Sequence, residues 1–145
     1  GTGDGLVAVA AAQRGFDVTA IDIAPSALGR ARERADAAGV RSVVFVLDDA
    51  TAPRLAGSFD VAVDRGLLHC LPRAEHTAYA ASMAALVAPG GTLLVVAHQP
   101  GGEVGTHPLT AGELCALLPA FELVRAAPTT LAGAAAQLFE LTRRS

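Results

Sequence analysis

Short apolar runs rich in β-branched residues punctuate this chain, and Ala-rich helical stretches separate most of them. Asp17–Ile23 (DVTAIDI), Val43–Leu47 (VVFVL), Phe59–Val63 (FDVAV) and Thr92–Ala97 (TLLVVA) each read as a strand. Runs this continuous suit parallel strands covered on both faces. Leu6–Arg14 reads as a helix with Gly15 at its C-cap. Pro25-Ser26 opens a second helix that runs to about Ala38 and ends at Gly39. A third spans Arg73–Val87, and Ala88-Pro89-Gly90-Gly91 turns it into the following strand. The alternation implies an α/β fold: a Rossmann-like, doubly wound, mostly parallel sheet with right-handed crossovers.

The pattern loosens after His98. Gln99–Pro108, with its glycines and prolines, reads as a loop. Thr110–Leu118 reads as a short helix, Thr110 being the N-cap and Glu113 completing a capping-box spacing. Phe121–Ala126 and Gln137–Thr142 are closing strands, and a loop over Ala127–Ala136 suits an antiparallel pair. With 145 residues and no internal repeat, residues 1–145 are expected to form one domain.

Composition removes several functions. All 11 basic residues are arginine, which excludes a Schiff-base lysine, a P-loop and a protein-kinase lysine. A net charge of -3 without a basic cluster argues against a nucleic-acid partner. No apolar run reaches the ~18 residues of a membrane span, so no membrane partner is expected. The cysteines, Cys70 and Cys115, form no C-x-x-C motif; a core-filling role and a reducing, cytoplasmic location are expected. His76, His98 and His107 make no ligand spacing with carboxylates or cysteines, so no metal site is expected. The charged residues Arg30, Arg32, Glu33 and Arg34 read as the solvated face of the second helix, and Tyr79 as packing.

On open α/β sheets ligands gather at the carboxyl ends of strands, and the informative polar residues lie there. Gly1-x-Gly3-x-Gly5 precedes a helix, and glycines let a backbone approach a ligand closely. Asp22 ends the next strand, 19 residues after Gly3, a spacing typical of a carboxylate that accepts from a ribose hydroxyl pair; a helix-capping role is the plainer alternative. Asp48-Asp49-Ala50 follows the next strand, where Asp49 could accept from an adenine amine or serve as a turn residue. Asp64-Arg65-Gly66-Leu67-Leu68-His69 follows the FDVAV strand. Arg65 and His69 are four apart and would share a face on a helix.

Together these segments resemble the class I S-adenosylmethionine-dependent methyltransferase family, in its small-molecule, thiopurine-methyltransferase-like branch. Gly1-Thr2-Gly3 resembles the end of that family's glycine motif, and Ile21–Ala35 its acidic strand end and helix. Leu47–Ala50 resembles the adenine turn, Phe59–Pro72 the fourth motif, Leu86–Val96 the Pro-Gly-Gly turn and fifth strand, and Leu138–Arg144 the last strand. The resemblance implies strand order 3-2-1-4-5-7-6 with strand 7 antiparallel. It also implies that the first, central strand would precede Gly1, so the chain reads as truncated within its glycine motif. Open edges would then make it unstable or prone to aggregate alone.

The implied cofactor is S-adenosyl-L-methionine. Gly1 and Gly3 would meet its methionine side, Asp22 and Ile23 its ribose, Asp49 and Ala50 its adenine, and Asp64 the donor methionine end. The implied reaction is methyl transfer to O, N or S of a small-molecule acceptor, with His69 as a candidate base. The rival readings are a degenerate, non-catalytic domain and an NAD(P)-dependent oxidoreductase sharing the fold.

Overall fold

The computed structural model describes residues 1–55, 57–98 and 106–145. The part of the predicted Gln99–Pro108 loop up to 105 lies outside them. The chain groups into two compact units, Gly1–Arg54 and Leu55–Ser145.

The first unit holds α1 (Leu6–Ala12), β1 (Val18–Asp22), α2 (Pro25–Ala37) and β2 (Val43–Leu47). β1 and β2 pair in parallel, with Asp22 level with Leu47. Pro25 sits in the first turn of α2, where its missing N–H costs nothing. Ala27, Leu28, Ala31 and Ala35 form that helix's buried stripe, spaced for one face. Small residues on this stripe let α1 approach. At Gly5, which has φ +76°, an added Cβ would stand 2.8 Å from the Ala31 Cβ, so glycine is required by both backbone and packing. The charged residues of α2 face solvent as expected.

The second unit holds β3 (Phe59–Arg65), α3 (His76–Leu86), β4 (Val87–His98), α4 (Ala111–Leu117), β5 (Phe121–Leu131) and β6 (Ala134–Arg143). Its sheet order is β3-β4-β6-β5, parallel between β3 and β4 and antiparallel thereafter. The pair β2-β1 matches the 3-2 stretch of the implied order, and β3-β4-β6-β5 with its antiparallel β6 matches the 4-5-7-6 stretch. Leu93 and Val95 from β4, Phe139 and Leu141 from β6, Tyr79 from α3 and Leu114 from α4 are core residues of this unit. Each fully buried side chain of this size contributes ~1.5–3 kcal/mol.

Four expectations need correction. β4 starts at Val87, not Thr92, because Ala88–Gly91 bulge against β3: Phe59 pairs with Val87 and Val61 with Thr92. A Cβ on Gly91 would lie 2.9 Å from the Asp60 and Ala88 carbonyl oxygens, so the close approach demands glycine. The expected Ala127–Ala136 loop is mostly strand. β5 and β6 continue to Leu131 and Ala134, joined by Ala132 (φ 51°) and Gly133 (φ 83°), two left-handed residues that match the strand twist. Cys70 and Cys115 are exposed, not core-filling; Cys115 follows the buried Leu114 and so faces outward on α4. Arg65 and His69 share no helix. Arg65 ends β3, Gly66 breaks the backbone at φ 101°, and His69 lies in a separate one-turn helix, Leu68–Cys70.

Candidate functional site

In the first unit, the predicted nucleoside residues cluster at the carboxyl ends of β1 and β2. The Thr2 amide donates to the Ile21 carbonyl at 2.7 Å, which draws the glycine segment alongside β1. Asp22 then holds the corner: Gly3 N–H donates to Oδ2 at 2.8 Å and Ala24 N–H to Oδ1 at 2.9 Å. Asp22 is buried, and each oxygen keeps a further lone pair that can accept from a hydroxyl. The capping alternative is not realised: the N-cap of α2 is Ala24, and Asp22 holds the Gly3 and Ala24 amides instead of any amide in the helix's first turn. Ile23 beside it is 70% exposed, an apolar surface next to a carboxylate. Arg34 of α2 clamps the far side of the segment, pairing with the Asp4 carboxylate and donating to the Asp4 carbonyl.

The second acidic pair divides its labour. Asp48 is buried and accepts from the Arg54 amide and guanidinium and from the Asp49 amide. Burial would raise its pKa, but these donors outweigh burial and hold it below the usual carboxylate value. Asp49 is half-buried; its Oδ1 accepts from the Thr51 amide at 2.8 Å and hydroxyl at 2.7 Å, which lower its pKa against burial and the Asp48 charge. Asp48 thus builds the turn, Asp49 stands at its rim, and Ala50 is buried behind it. Away from these strand ends, a shallow concavity of about 300 Å³ on this unit, lined by Arg32, Arg41 and Phe45 among others, contains none of the predicted residues.

In the second unit, Asp64 near the end of β3 accepts from the amides of Leu67 (2.7 Å) and Leu68 (3.0 Å) and so ties down the one-turn helix that bears His69. Tyr79 packs below, as the sequence suggests. Its hydroxyl makes no hydrogen bond among the described residues; burial, then the Asp64 charge, pushes the phenol well above its ordinary pKa. His69 is 2% exposed, and its carbonyl accepts from the His107 amide. The residue that sequence reading missed is His98. It ends β4 and is 4% exposed, and its ring stands edge-to-face with His69 at 4.8 Å between centroids. Only its position at a strand end hinted at this, because His69 and His98 are 29 apart in sequence.

A glycine segment pinned by a strand-end carboxylate, followed by a second acidic turn one strand on, is an arrangement found in α/β domains that bind nucleotides at their strand ends. Residues 1–91 match the methyltransferase domain family, and the chain belongs to that family of class I S-adenosylmethionine-dependent methyltransferases. It is 29% identical over 119 residues to the 2-heptyl-1-hydroxyquinolin-4(1H)-one methyltransferase of Mycobacteroides abscessus, covering 79% of this chain and 52% of that protein. It is 37% identical over 119 residues to an uncharacterized methyltransferase of Mycobacterium tuberculosis, covering 81% of this chain and 58% of that protein. The chain thus spans little more than half the length of these relatives. Among solved structures, the N-methyltransferase NodS of Bradyrhizobium japonicum superposes with a TM-score of 0.85 at 21% identity, over 100% of this chain and 83% of that one. The family's cofactor is S-adenosyl-L-methionine. The first unit fits it: Asp22 has acceptor capacity for a ribose, Ile23 an exposed apolar face, and Gly3 (φ 57°) room for close approach, since an added Cβ would meet nothing within 4 Å. No helix among the described residues is long and apolar enough to cross a membrane.

Proposed function

We propose that this chain carries the S-adenosylmethionine-dependent transfer of a methyl group to O, N or S of a small-molecule acceptor. The observation that carries the reading is Asp22, a buried carboxylate that pins the glycine segment through Gly3 and retains acceptor capacity at a strand end. Gly1 and Gly3 line the methionine side of the cofactor, Asp22 accepts from the ribose hydroxyls, Ile23 packs on the nucleoside, and Asp49 with Ala50 receives the adenine. Asp64 belongs to the methionine end of the donor, and its turn carries His69. The cofactor supplies a methyl already activated on a positively charged sulfur. The protein's residues therefore have to orient the acceptor, exclude water and remove a proton where the acceptor carries one. His69 is the group for that proton. The relative named for a hydroxyquinolone supports a hydroxyl-bearing heteroaromatic acceptor.

Isothermal titration with S-adenosylhomocysteine tests the reading. Binding is expected, and Asp22→Ala is expected to weaken it about 10- to 100-fold, the loss of one or two hydrogen bonds to a charged group. A folded chain that is protected from melting by NADPH and indifferent to S-adenosylhomocysteine would reverse the assignment toward an oxidoreductase.

A further inference from the structure

The second unit contains a pair of buried imidazoles from separate elements. His98 sits on a rigid strand: its backbone pairs with Ala136 of β6, and Val96 two residues earlier pairs with Arg65 of β3. His69 sits on a one-turn helix held through backbone amides by Asp64. The rings meet edge-to-face, with 71° between planes. Gly66 lets the turn pack closely beside His69. A Cβ there would lie 3.6 Å from the His69 Cε1 and 3.3 Å from the Leu131 side chain at the hairpin end. His98 Nδ1 is buried and has no hydrogen-bond partner among the described residues. A buried polar atom left without a partner is costly and calls for an explanation; at His98 the ring contact with His69 offers one.

We propose that His98 is a positioning residue for His69, and that the pair suits an acceptor that must lose a proton, a hydroxyl or N–H, over an already ionised thiol. This rests on the methyltransferase reading above. As the acceptor atom attacks, its proton passes to His69, the acceptor–carbon bond forms, the carbon–sulfur bond breaks, and the sulfur leaves as a neutral thioether. The positive charge of the sulfonium thus reappears on the His69 imidazolium. An aromatic edge-to-face partner fixes one orientation of that ring and favours its charged form when the partner's face is presented to it. The strand-borne ring is the fixed one, so His98 positions and His69 acts.

The test reads the imidazole nitrogens of His69 in the 15N-labelled full chain, through their couplings to the ring protons. The unsubstituted chain is expected to show one sharp set of His69 ring signals, His98→Ala signals shifted and broadened by exchange between ring orientations, and His98→Phe, which restores a ring, one sharp set again. His69 signals unchanged in His98→Ala would overturn the proposal. If that variant does not fold, His98→Gln, which keeps bulk and polarity without a ring, takes its place under the same criterion. Turnover of 2-heptyl-1-hydroxyquinolin-4(1H)-one and of an arenethiol with S-adenosylmethionine supplies a second readout. The Ala or Gln variant should lower kcat on the hydroxyl acceptor by about 10- to 100-fold with KM little changed, and should spare the arenethiol. An equal loss on both acceptors would reduce His98 to a structural residue and overturn the proposal. Failure of the unsubstituted chain to bind S-adenosylhomocysteine would instead sink the methyltransferase reading and leave the ring-orientation measurement to judge the pair.

Discussion

Two glycines with similar backbones should respond differently to one methyl group. Gly5 (φ 76°) and Gly15 (φ 90°) are both left-handed, but a Cβ at Gly5 meets Ala31 at 2.8 Å whereas one at Gly15 meets nothing within 4 Å. Gly15→Ala should cost about 1 kcal/mol from backbone strain. Gly5→Ala should cost about 2–4 kcal/mol, because overpacking adds to that strain; urea titration of both variants measures the difference, and equal losses would refute it. The acidic turn offers a second check, by pH. Asp48 and Asp49 have folded pKa values below their ordinary ones. Their stabilisation is therefore present above the unfolded value of about 3.9 and is lost as pH falls through the folded values. Asp48→Asn should lower the melting temperature at neutral pH and make its acid decline shallower than that of the unsubstituted chain. At this scale the spacing of Asp22 from Gly3 was legible as a local signal, but not the direct bond by which Asp22 pins the Gly3 amide. Nor could it reveal His98, since an edge-to-face ring contact follows from the register of β3 on β4 and has no sequence period.

Elements were most legible where one local interaction decides them. β2 occupies the expected residues because its run is continuous and apolar, and α4 carries the expected capping box between Thr110 and Glu113. Elements were misjudged where pairing overrides composition. Ala127–Ala136 has the small and Pro-containing composition of a loop, yet β6 holds it in register up to Ala134. The hairpin's turn is one place where the sequence is not ideal for its own backbone. Ala132 is the described non-glycine residue with positive φ, at 51°, followed by Gly133. Asn tolerates the left-handed region better than Ala, and Asn-Gly is a favoured pair in such turns. Ala132→Asn should therefore stabilise the chain by about 0.5–1 kcal/mol, a rise of ~2–4 °C in melting temperature. A fall on calorimetry would show that the turn is held by something other than its backbone preference.

For the whole molecule, the topology leaves the outer strands of both sheets unpaired on one side among the described residues, β1 and β3 with them. β1 pairs with β2 on one side and β3 with β4 on one side, and among the described residues no strand pairs with the other edge of either. The alternation of runs made the class of fold legible, but pairing partners are long-range facts that local pattern does not encode. On β3 the consequence is concrete, because Val61 and Val63 are 42% and 49% exposed on the same side of an edge strand. An exposed apolar edge is a template for pairing with another chain, and lysine is the residue that natural sheets use to block it. Val63→Lys should therefore reduce concentration-dependent self-association in light scattering. Its own exposure means that little burial is lost, so stability should change by no more than about 0.5 kcal/mol. The two readouts separate the causes. If the variant associates as strongly as the unsubstituted chain while its stability holds, the β3 edge is not the contact; if association falls together with a collapse in stability, Val63 is buried in solution and the edge is covered.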